Sequence, residues 1–296
     1  MPRLGIIGWP VAHSRSPSMF SAAFDACGLT DWTYQRLPLA PELFEEAVRA
    51  LGASGFAGAN VTIPHKQAAL AIADRASEAA ASIGAANTLT FNSDGSIEAQ
   101  NTDAPGLIAA LDRSPAGMSA LVLGAGGSAR AAVWALLGAG AAAVSVWNRT
   151  PERAASLAGE LGARAVSEPI EADLLVNCTS VGLQRSASEL AALNQLRLSA
   201  DLLGRYPYVV DLVYSDHPTP LLSVASAHGC RIVDGLDVLV AQGALSFEAW
   251  TGLPAPLDAM RRGAREEGAG GEHVHEEGVG GEEARAQGLS EGDVRE

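Results

Sequence analysis

The sequence alternates short apolar runs with longer stretches of helical periodicity, and this alternation limits the possible folds more than any other feature. Near the start, the runs LGIIG, TYQRLPL and FAGANVTI are followed by such stretches at 17–28, 41–52 and 65–81. Strands that are joined through crossover helices pair in parallel, because the chain returns across the sheet before the next strand begins. The pattern therefore predicts an α/β fold on a mostly parallel sheet.

A second series of the same kind begins at ALVLGAGG and continues through AVSVWNRT, DLLVNCTS, YVVDLVY and CRIVDG. A last helical segment at 236–251 follows this series, and we expect it to pack back onto the first sheet. The predicted organisation is one domain formed by residues 1–104 and 236–264 and a second formed by 105–235. A cleft between two domains is a common place for a small-molecule site.

One segment interrupts the parallel pattern. Residues 88–99, TLTFNSDGSIEA, place two β-favouring pieces on either side of Asp94 and Gly95. An Asp-Gly pair can supply the positive φ angles of a tight hairpin turn. We therefore expect an antiparallel hairpin inserted into the first sheet.

The second series opens with a glycine-rich loop between an apolar strand and an alanine-rich helix. Gly124, Gly126 and Gly127 lie in this loop. In such a context glycines let backbone N–H groups approach a pyrophosphate at the helix N-terminus. The spacing departs from strict GxGxxG, and glycines also form plain strand-to-helix turns. The loop nevertheless favours a Rossmann-like dinucleotide-binding domain over 105–235.

The next strand of this domain indicates which dinucleotide is bound. It ends at Asn148, Arg149 and Thr150, where an NAD-binding site usually places an acidic residue for the ribose 2′-hydroxyl. Arg149, with Arg153 one helical turn further on, could hold a 2′-phosphate by charge-assisted hydrogen bonds. The alternative is a solvated arginine pair. The pattern predicts NADP as cofactor.

Polar motifs close several apolar runs of the first domain. They are HSRSP at 13–17, NVTIPHK at 60–66, AANT at 85–88 and NTD at 101–103. In an open α/β sheet the carboxyl ends of the strands face the ligand crevice, so these side chains can converge there. Taken singly each signal is weak, since Ser14 could be an N-cap serine and Asn87 a turn asparagine.

Two charged residues among these motifs are candidates for catalysis. Lys66 stands at a strand-to-helix junction beside Pro64, where a long amine could extend over the crevice. Asp103 is the carboxylate that could accompany it. The alternative interpretations are a surface lysine and a structural carboxylate–lysine pair.

The charge of the chain is concentrated at its end. The formal net charge is −14, and residues 265–296 carry half of it on ten Asp/Glu and three Arg. This segment is rich in glycine and poor in bulky apolar residues, so burial cannot offset the entropy of ordering it. We expect a disordered acidic tail. His273 and His275 lie in it without the spacing of a metal cage, and we predict no metal.

Composition also excludes several classes of protein. The negative charge disfavours nucleic-acid binding, which requires a surface rich in Lys and Arg. No apolar run is long enough to span a membrane, and the start lacks the pattern of a signal peptide, so we expect a cytoplasmic protein. Cys27, Cys178 and Cys230 form neither a paired framework nor a CxxC motif, and we expect reduced thiols. Monomer and homodimer both stay open.

The motifs, in this order and with these spacings, resemble the shikimate dehydrogenase family. They are HSxSP, NVTIPHK, GAANT, NTD, GAGG followed by NRT, and VLVAQGALSFEAWTG. The resemblance covers about residues 4–262. It implies a reversible reduction of 3-dehydroshikimate to shikimate with NADPH, a step towards chorismate and the aromatic amino acids.

The resemblance also assigns residues. It implies Lys66 and Asp103 as the catalytic pair. The substrate-binding residues that it implies are Ser14, Ser16, Thr62, Lys66, Asn87, Asp103, Tyr214 and Gln242. On the cofactor side it implies Glu78, Gly124, Ala125, Gly126, Gly127, Ser128, Asn148, Arg149, Thr150, Arg153, Leu212 and Gly235.

The sequence departs from the family pattern at a few positions. Phe20 and Ser21 replace a usual His-Asn pair, and Val238 stands where methionine is common. We expect these changes to affect local packing and the wall beside the nicotinamide. Three alternatives stay open: a quinate or dual quinate/shikimate dehydrogenase, a non-catalytic sensor of NADP or of a shikimate-like ligand, and a folate-linked dehydrogenase of similar architecture.

Overall fold

The computed structural model describes residues 1–183 and 188–266. The first sheet has the strand order β2-β1-β3-β5-β6-β4. All neighbours pair in parallel except β5, which runs antiparallel to both β3 and β6. Its strands are β1 (Arg3–Gly8), β2 (Thr33–Pro38), β3 (Phe56–Val61), β4 (Arg75–Ala76), β5 (Thr88–Phe91) and β6 (Ile97–Gln100).

Helices connect these strands. A 3-10 turn at Pro41–Leu43 precedes the second helix. The helices are α1 (Ser16–Ala26), α2 (Phe44–Ala53), α3 (Lys66–Ala71), α4 (Glu78–Ile83) and α5 (Asp103–Ala110). One face of the sheet buries Ile7, Val61 and Leu89 against helix residues such as Val48.

The second sheet is entirely parallel. Its strands are β7 (Ser119–Leu123), β8 (Ala143–Trp147), β9 (Arg164–Ala165), β10 (Leu174–Asn177), β11 (Tyr208–Asp211) and β12 (Arg231–Val233). The order β12-β11-β10-β7-β8-β9 is the doubly wound order of the Rossmann fold, with the reversal between β7 and β10. Its helices are α6 (Gly127–Gly138), α7 (Pro151–Leu161), α8 (Glu189–Gln195), α9 (Ala200–Leu203) and α10 (Pro220–Ala227). The predicted α/β fold class is confirmed.

The last two helices of the described residues belong to the core of the first sheet. These are α11 (Gly235–Thr251) and α12 (Leu257–Glu266). Phe247 and Met260 from these helices lie in one buried cluster with Leu4 and Phe20. Helix α12 includes two residues that the sequence placed in the tail, and the rest of that tail, with His273 and His275, lies outside the described residues.

The predicted hairpin is confirmed, and its turn is longer than two residues. Strands β5 and β6 pair in antiparallel register. The Asn92 N–H donates to the Ser96 carbonyl and the Gly95 N–H to the Asn92 carbonyl, at 2.9 and 3.0 Å. Gly95 has a φ of 83°. Gly95 therefore supplies the left-handed residue of the turn, and the Asp94 carboxylate accepts from the Ser96 N–H at 2.9 Å.

The single helical stretch predicted at 65–81 is wrong. The chain forms α3 and α4 there, separated by strand β4. Strand β4 pairs with β6, and the Asp74 carboxylate accepts a hydrogen bond from the Ile97 N–H at 2.8 Å. The Ser77 hydroxyl then caps α4 by accepting from the Ala80 N–H at 3.1 Å. Pairing with a distant strand outweighs the helical propensity of this alanine-rich stretch.

Cys27, Cys178 and Cys230 are free thiols, as predicted. Phe20 is fully buried and stacks on Tyr34 with 4.3 Å between ring centroids, so the departure at this position is an internal packing change. Within the described part of the chain, no helix has both the length and the apolar character to cross a membrane.

Candidate active site

A cleft of about 970 Å³, including the part open to solvent, is lined by residues from both sheet units. From the second unit the lining includes Ser128, Cys178 and Leu212, and Gly235 and Val238 line it from the start of α11. All residues predicted to be catalytic or to bind substrate line it: Ser14, Ser16, Thr62, Lys66, Asn87, Asp103, Tyr214 and Gln242.

The topology of the first sheet explains this convergence. Ser14 follows β1, and Thr62 and Lys66 follow β3, at the carboxyl ends of parallel strands. Because β5 runs antiparallel, the residue that precedes it, Asn87, lies at this same edge. Strand β6 returns to the edge and leads into Asp103, the first residue of α5. The hairpin therefore adds two polar groups to the cleft.

Lys66 and Asp103 form an ion pair in the cleft. The Lys66 Nζ donates to Asp103 Oδ2 at 2.6 Å, and the two side chains are 10% and 17% exposed. The other carboxylate oxygen, Oδ1, accepts from Asn87 Nδ2 at 2.9 Å. Pairing and hydrogen bonding offset the cost of removing both charges from water. Lys66 is also the only lysine of the chain, a sequence signal that the motifs did not use.

Asn87 is the centre of a buried polar network. Its Oδ1 accepts from the Thr102 N–H at 2.7 Å, and its Nδ2 donates to Gln242 Oε1 at 3.1 Å. The Gln242 side chain in turn donates to the Leu239 carbonyl at 2.8 Å. Helix α11 is thereby tied to the edge of the first sheet, and the amides of Asn87 and Gln242 are held in fixed orientations.

Behind this network lies a second set of hydrogen-bonded residues, to which the sequence analysis assigned no role in the site. Asn60 Nδ2 donates to the Ser246 hydroxyl at 2.9 Å, and Tyr34 donates to Asn60 Oδ1 at 2.8 Å. The Thr88 hydroxyl lies 2.9 Å from that of Ser246. Burial raises the pKa of Tyr34 well above its usual value, and this keeps the phenol a hydrogen-bond donor. Every buried side-chain N and O atom of the described residues has a partner.

Two arginines fix the HSRSP turn, in which Ser14 and Ser16 are buried. Arg36 donates to the Ser14 carbonyl at 2.7 Å. Arg15 forms an ion pair with Asp216 of the second unit and donates to the Ala264 carbonyl of α12 at 3.1 Å. The turn that presents the two serines is therefore held by contacts with β2, with α12 and with the second unit.

The glycines of the loop are closely packed at two positions and open at the third. An added Cβ at Gly124, with a φ of 111°, would lie 3.2 Å from the Cys178 backbone. A Cβ at Gly127 would lie 2.6 Å from Lys66 Cβ, whereas one at Gly126 would contact nothing within 4 Å. The open side at Gly126 and the N-terminus of α6 fit a dinucleotide pyrophosphate. Ala125 and Ser128 complete the loop.

The remaining residues predicted for the cofactor lie in three places. Asn148, Arg149, Thr150 and Arg153 lie after β8 and in the first turn of α7, with both arginines exposed. Leu212 and Gly235 line the cleft beside Val238. Glu78 is exposed at the first position of α4 and is not among the residues lining the cleft, so its cofactor role stays a prediction.

Asp211, at the end of β11, is a buried carboxylate that the motifs did not predict. It is 0% exposed and accepts from Thr219 at 2.6 Å, Asn177 at 2.8 Å and the Val213 N–H at 3.1 Å. Burial raises its pKa to about 7, against the opposing effect of these donors. Asp211 thereby holds the start of the loop that carries Leu212 and Tyr214. Burial likewise raises the pKa of the Cys178 thiol nearby.

Comparisons with known proteins agree with this geometry. Residues 6–89 match the shikimate dehydrogenase substrate binding domain, 110–181 match shikimate / quinate 5-dehydrogenase, and 235–264 match the shikimate 5'-dehydrogenase C-terminal domain. The NADP(+)-dependent shikimate dehydrogenase of Paracoccus denitrificans (strain Pd 1222) is 43% identical, over 88% of this chain and 95% of that protein.

Solved structures show the same similarity. The shikimate 5-dehydrogenase of Thermus thermophilus, in complex with NADP(H) and shikimate, is 41% identical with a TM-score of 0.79, over 90% of this chain and 99% of that one. A ligand-free 5-ketofructose reductase of Gluconobacter sp. strain CHM43 is 29% identical with a TM-score of 0.74, over 90% and 98%.

Proposed function

We infer that this chain, which belongs to the shikimate dehydrogenase family, is an NADP-dependent oxidoreductase that interconverts 3-dehydroshikimate and shikimate in the shikimate pathway. The observation that carries this function is the 2.6 Å Lys66–Asp103 pair in a cleft that both sheet units line. A ketone and its alcohol differ by a hydride and a proton. NADPH supplies the hydride when it is bound, and the protein must manage the proton.

We propose that Lys66 manages this proton. In the reduction, its ammonium group donates to the carbonyl oxygen as negative charge develops there. Asp103 holds the amine at 2.6 Å and is itself fixed by Asn87, so the donor is oriented before the substrate arrives. In the reverse direction, the Lys66 amine accepts the hydroxyl proton. The Lys66–Asp103 pair has low exposure, so little water screens its charges. This strengthens the attraction between Lys66 and Asp103 and that between Lys66 and the substrate oxygen.

Substrate recognition is proposed for the polar residues around this pair. The buried hydroxyls of Ser14 and Ser16 suit a carboxylate, which accepts hydrogen bonds. Asn87, Asp103 and Gln242 supply donors and acceptors for ring hydroxyls. Thr62 and Tyr214 also line the cleft, and we propose that they contact the same ligand.

Cofactor recognition is proposed for the second unit. The backbone from Gly124 to Ser128 would receive the pyrophosphate. The exposed guanidinium groups of Arg149 and Arg153, with Asn148 and Thr150, would hold the 2′-phosphate. Leu212 and Gly235 would contact the nicotinamide, because they line the same cleft as Lys66.

Quinate is the second candidate substrate, because residues 110–181 match a family described as shikimate / quinate 5-dehydrogenase. The experiment is a plate of four reactions that follow NAD(P)H absorbance with shikimate or quinate and with NADP or NAD. We expect rapid turnover of shikimate with NADP. Equal turnover of quinate would broaden the substrate range, and equal use of NAD would refute the role of Arg149.

The same plate separates an enzyme from a sensor. A protein that binds NADP by equilibrium dialysis but shows no turnover in any well would be a sensor, and the catalytic role of Lys66 would be wrong. The matched control is Lys66→Ala, which should bind NADP and turn over at a strongly reduced rate.

We also propose a cytoplasmic location and a monomer or homodimer. Three free thiols suit a reducing compartment. Light scattering after size-exclusion chromatography would give the oligomeric state.

A further inference from the structure

The Lys66 amine is held by a residue of the second unit as well as by Asp103. Its Nζ donates to the Ser128 hydroxyl at 2.9 Å, and Ser128 is the second residue of α6. An ammonium group has three N–H donors. Asp103 and Ser128 therefore engage two of them, which leaves one for a substrate oxygen.

The stem of Lys66 contacts the same segment. At Gly127 a Cβ would lie 2.6 Å from Lys66 Cβ and 3.1 Å from its Cδ, so the start of α6 rests directly on the aliphatic chain of the lysine. Two consecutive residues of the glycine loop thus position Lys66: Gly127 contacts its aliphatic stem, and Ser128 accepts a hydrogen bond from its amine. The loop proposed to bind the pyrophosphate is therefore in direct contact with Lys66, the proposed proton donor.

The geometry points to Ser128 as a positioning residue that orients the Lys66 amine, and not only as part of the cofactor loop. This inference rests on the function proposed for Lys66. A hydroxyl suits the task because it accepts from an ammonium group and can donate to a neutral amine, so the contact survives transfer of the proton in either direction. A carboxylate at this position would place a second negative charge beside Asp103.

The first test is Ser128→Ala in steady-state kinetics. Loss of one of two anchors should lower kcat about tenfold in both directions, while KM for NADPH changes less than about twofold. Ser128→Thr, which keeps the hydroxyl, should recover most of the loss. Ser226→Ala, an exposed serine of α10, is the matched control. An unchanged kcat with a raised KM for NADPH would overturn the inference and leave Ser128 as a phosphate contact only.

The second test is a double-mutant cycle with Lys66→Ala. If Ser128 acts through Lys66, removing its hydroxyl in the Lys66→Ala background should change the residual kcat less than about twofold. An equal tenfold loss in both backgrounds would mean general damage to the fold and would contradict the inference.

The third test does not depend on turnover. Because Lys66 is the only lysine, acylation by acetic anhydride has two amine targets, Lys66 and the N-terminal amine, and peptide mapping follows each of them separately from any acylated tyrosine or cysteine. In Ser128→Ala the Lys66 amine loses an anchor and should be acylated several times faster, with the N-terminal amine as internal standard. Equal Lys66 rates in parent and variant would refute the inference, whether or not the parent oxidises shikimate. Absence of shikimate turnover in the parent would separately refute the proposed function.

Discussion

Replacing Gly127 with alanine tests the close contact that the second unit makes with the stem of Lys66. The added methyl would lie 2.6 Å from Lys66 Cβ, 3.3 Å from its Cγ and 3.1 Å from its Cδ. Carbon atoms pack at about 3.5–4.0 Å, so the start of α6 and the lysine stem must separate by about 1 Å. Lys66 Cβ is fixed to the backbone of α3, and rotation of the side chain cannot relieve the overlap.

A displacement of this size has consequences for both rate and stability. Misplacement of a catalytic group by about 1 Å can lower kcat on the order of a hundredfold, and overpacking a buried contact costs about 1–3 kcal/mol. We therefore expect Gly127→Ala to fold, to melt at a lower temperature and to reduce NADP with shikimate about a hundredfold more slowly. The assay is initial-rate kinetics combined with thermal unfolding.

The matched control lies at the other end of the same helix. A Cβ at Gly138 would contact nothing within 4 Å, and Gly138 is a helical residue without positive φ. Gly138→Ala should leave kcat unchanged and stabilise the protein by up to about 1 kcal/mol. A Gly127→Ala variant with the kcat of the parent would refute the reasoning, because α6 would then not rest on Lys66.

Lys66→Ala should lower kcat by about a hundredfold or more with little change in KM for the substrate, measured by initial rates, and a near-normal kcat would exclude Lys66 as the proton donor. Arg149→Ala should raise KM for NADPH at least about tenfold and leave KM for NADH unchanged, in parallel titrations of both cofactors. Burial raises the pKa of Asp211 from 3.8 to about 7, so the folded state binds this proton more tightly than the unfolded state does. The stability that proton binding by Asp211 contributes is then complete below about pH 4 and declines as the pH rises to about 7. The melting temperature of the parent should therefore fall over this range, and Asp211→Asn should make that fall smaller. An identical pH dependence in the parent and in Asp211→Asn would contradict this assignment.

Most of the fold could be predicted from the sequence, because most segments whose local pattern favours a strand or a helix also form that element in the folded protein. The apolar runs that became β1, β3, β7 and β11 are each bounded by turn residues and followed by helical periodicity. Strand β4 could not be predicted, because its two residues carry no apolar pattern of their own and depend on pairing with β6. The stretch 65–81 therefore looked like one helix.

The candidate site, like the fold, has a part that the sequence predicts and a part that it does not. Residues in motifs at strand ends converge because the topology gathers those ends, and the sequence shows where strands end. Ser246 and Asn60 are hydrogen bonded although 186 residues separate them in the chain, and no local pattern signals such a pair. Arg36 and Asp211 act on the site through hydrogen bonds to the backbone of neighbouring loops. Their residue types and their spacing in the sequence therefore did not indicate a role in the site.

The core that joins β1 and α1 to α11 and α12 also determines the order in which the protein can fold during synthesis. Leu4 and Phe20 are buried against Phe247, Met260 and Ala264, so the first sheet lacks one wall of its core until α12 leaves the ribosome. The second unit draws its core from a continuous stretch and can close earlier. At about 5–20 residues per second, the N-terminal strands wait on the order of ten seconds or more for α11 and α12. During that interval the N-terminal segment exposes apolar surface, and it is the part of the nascent chain where a chaperone would bind.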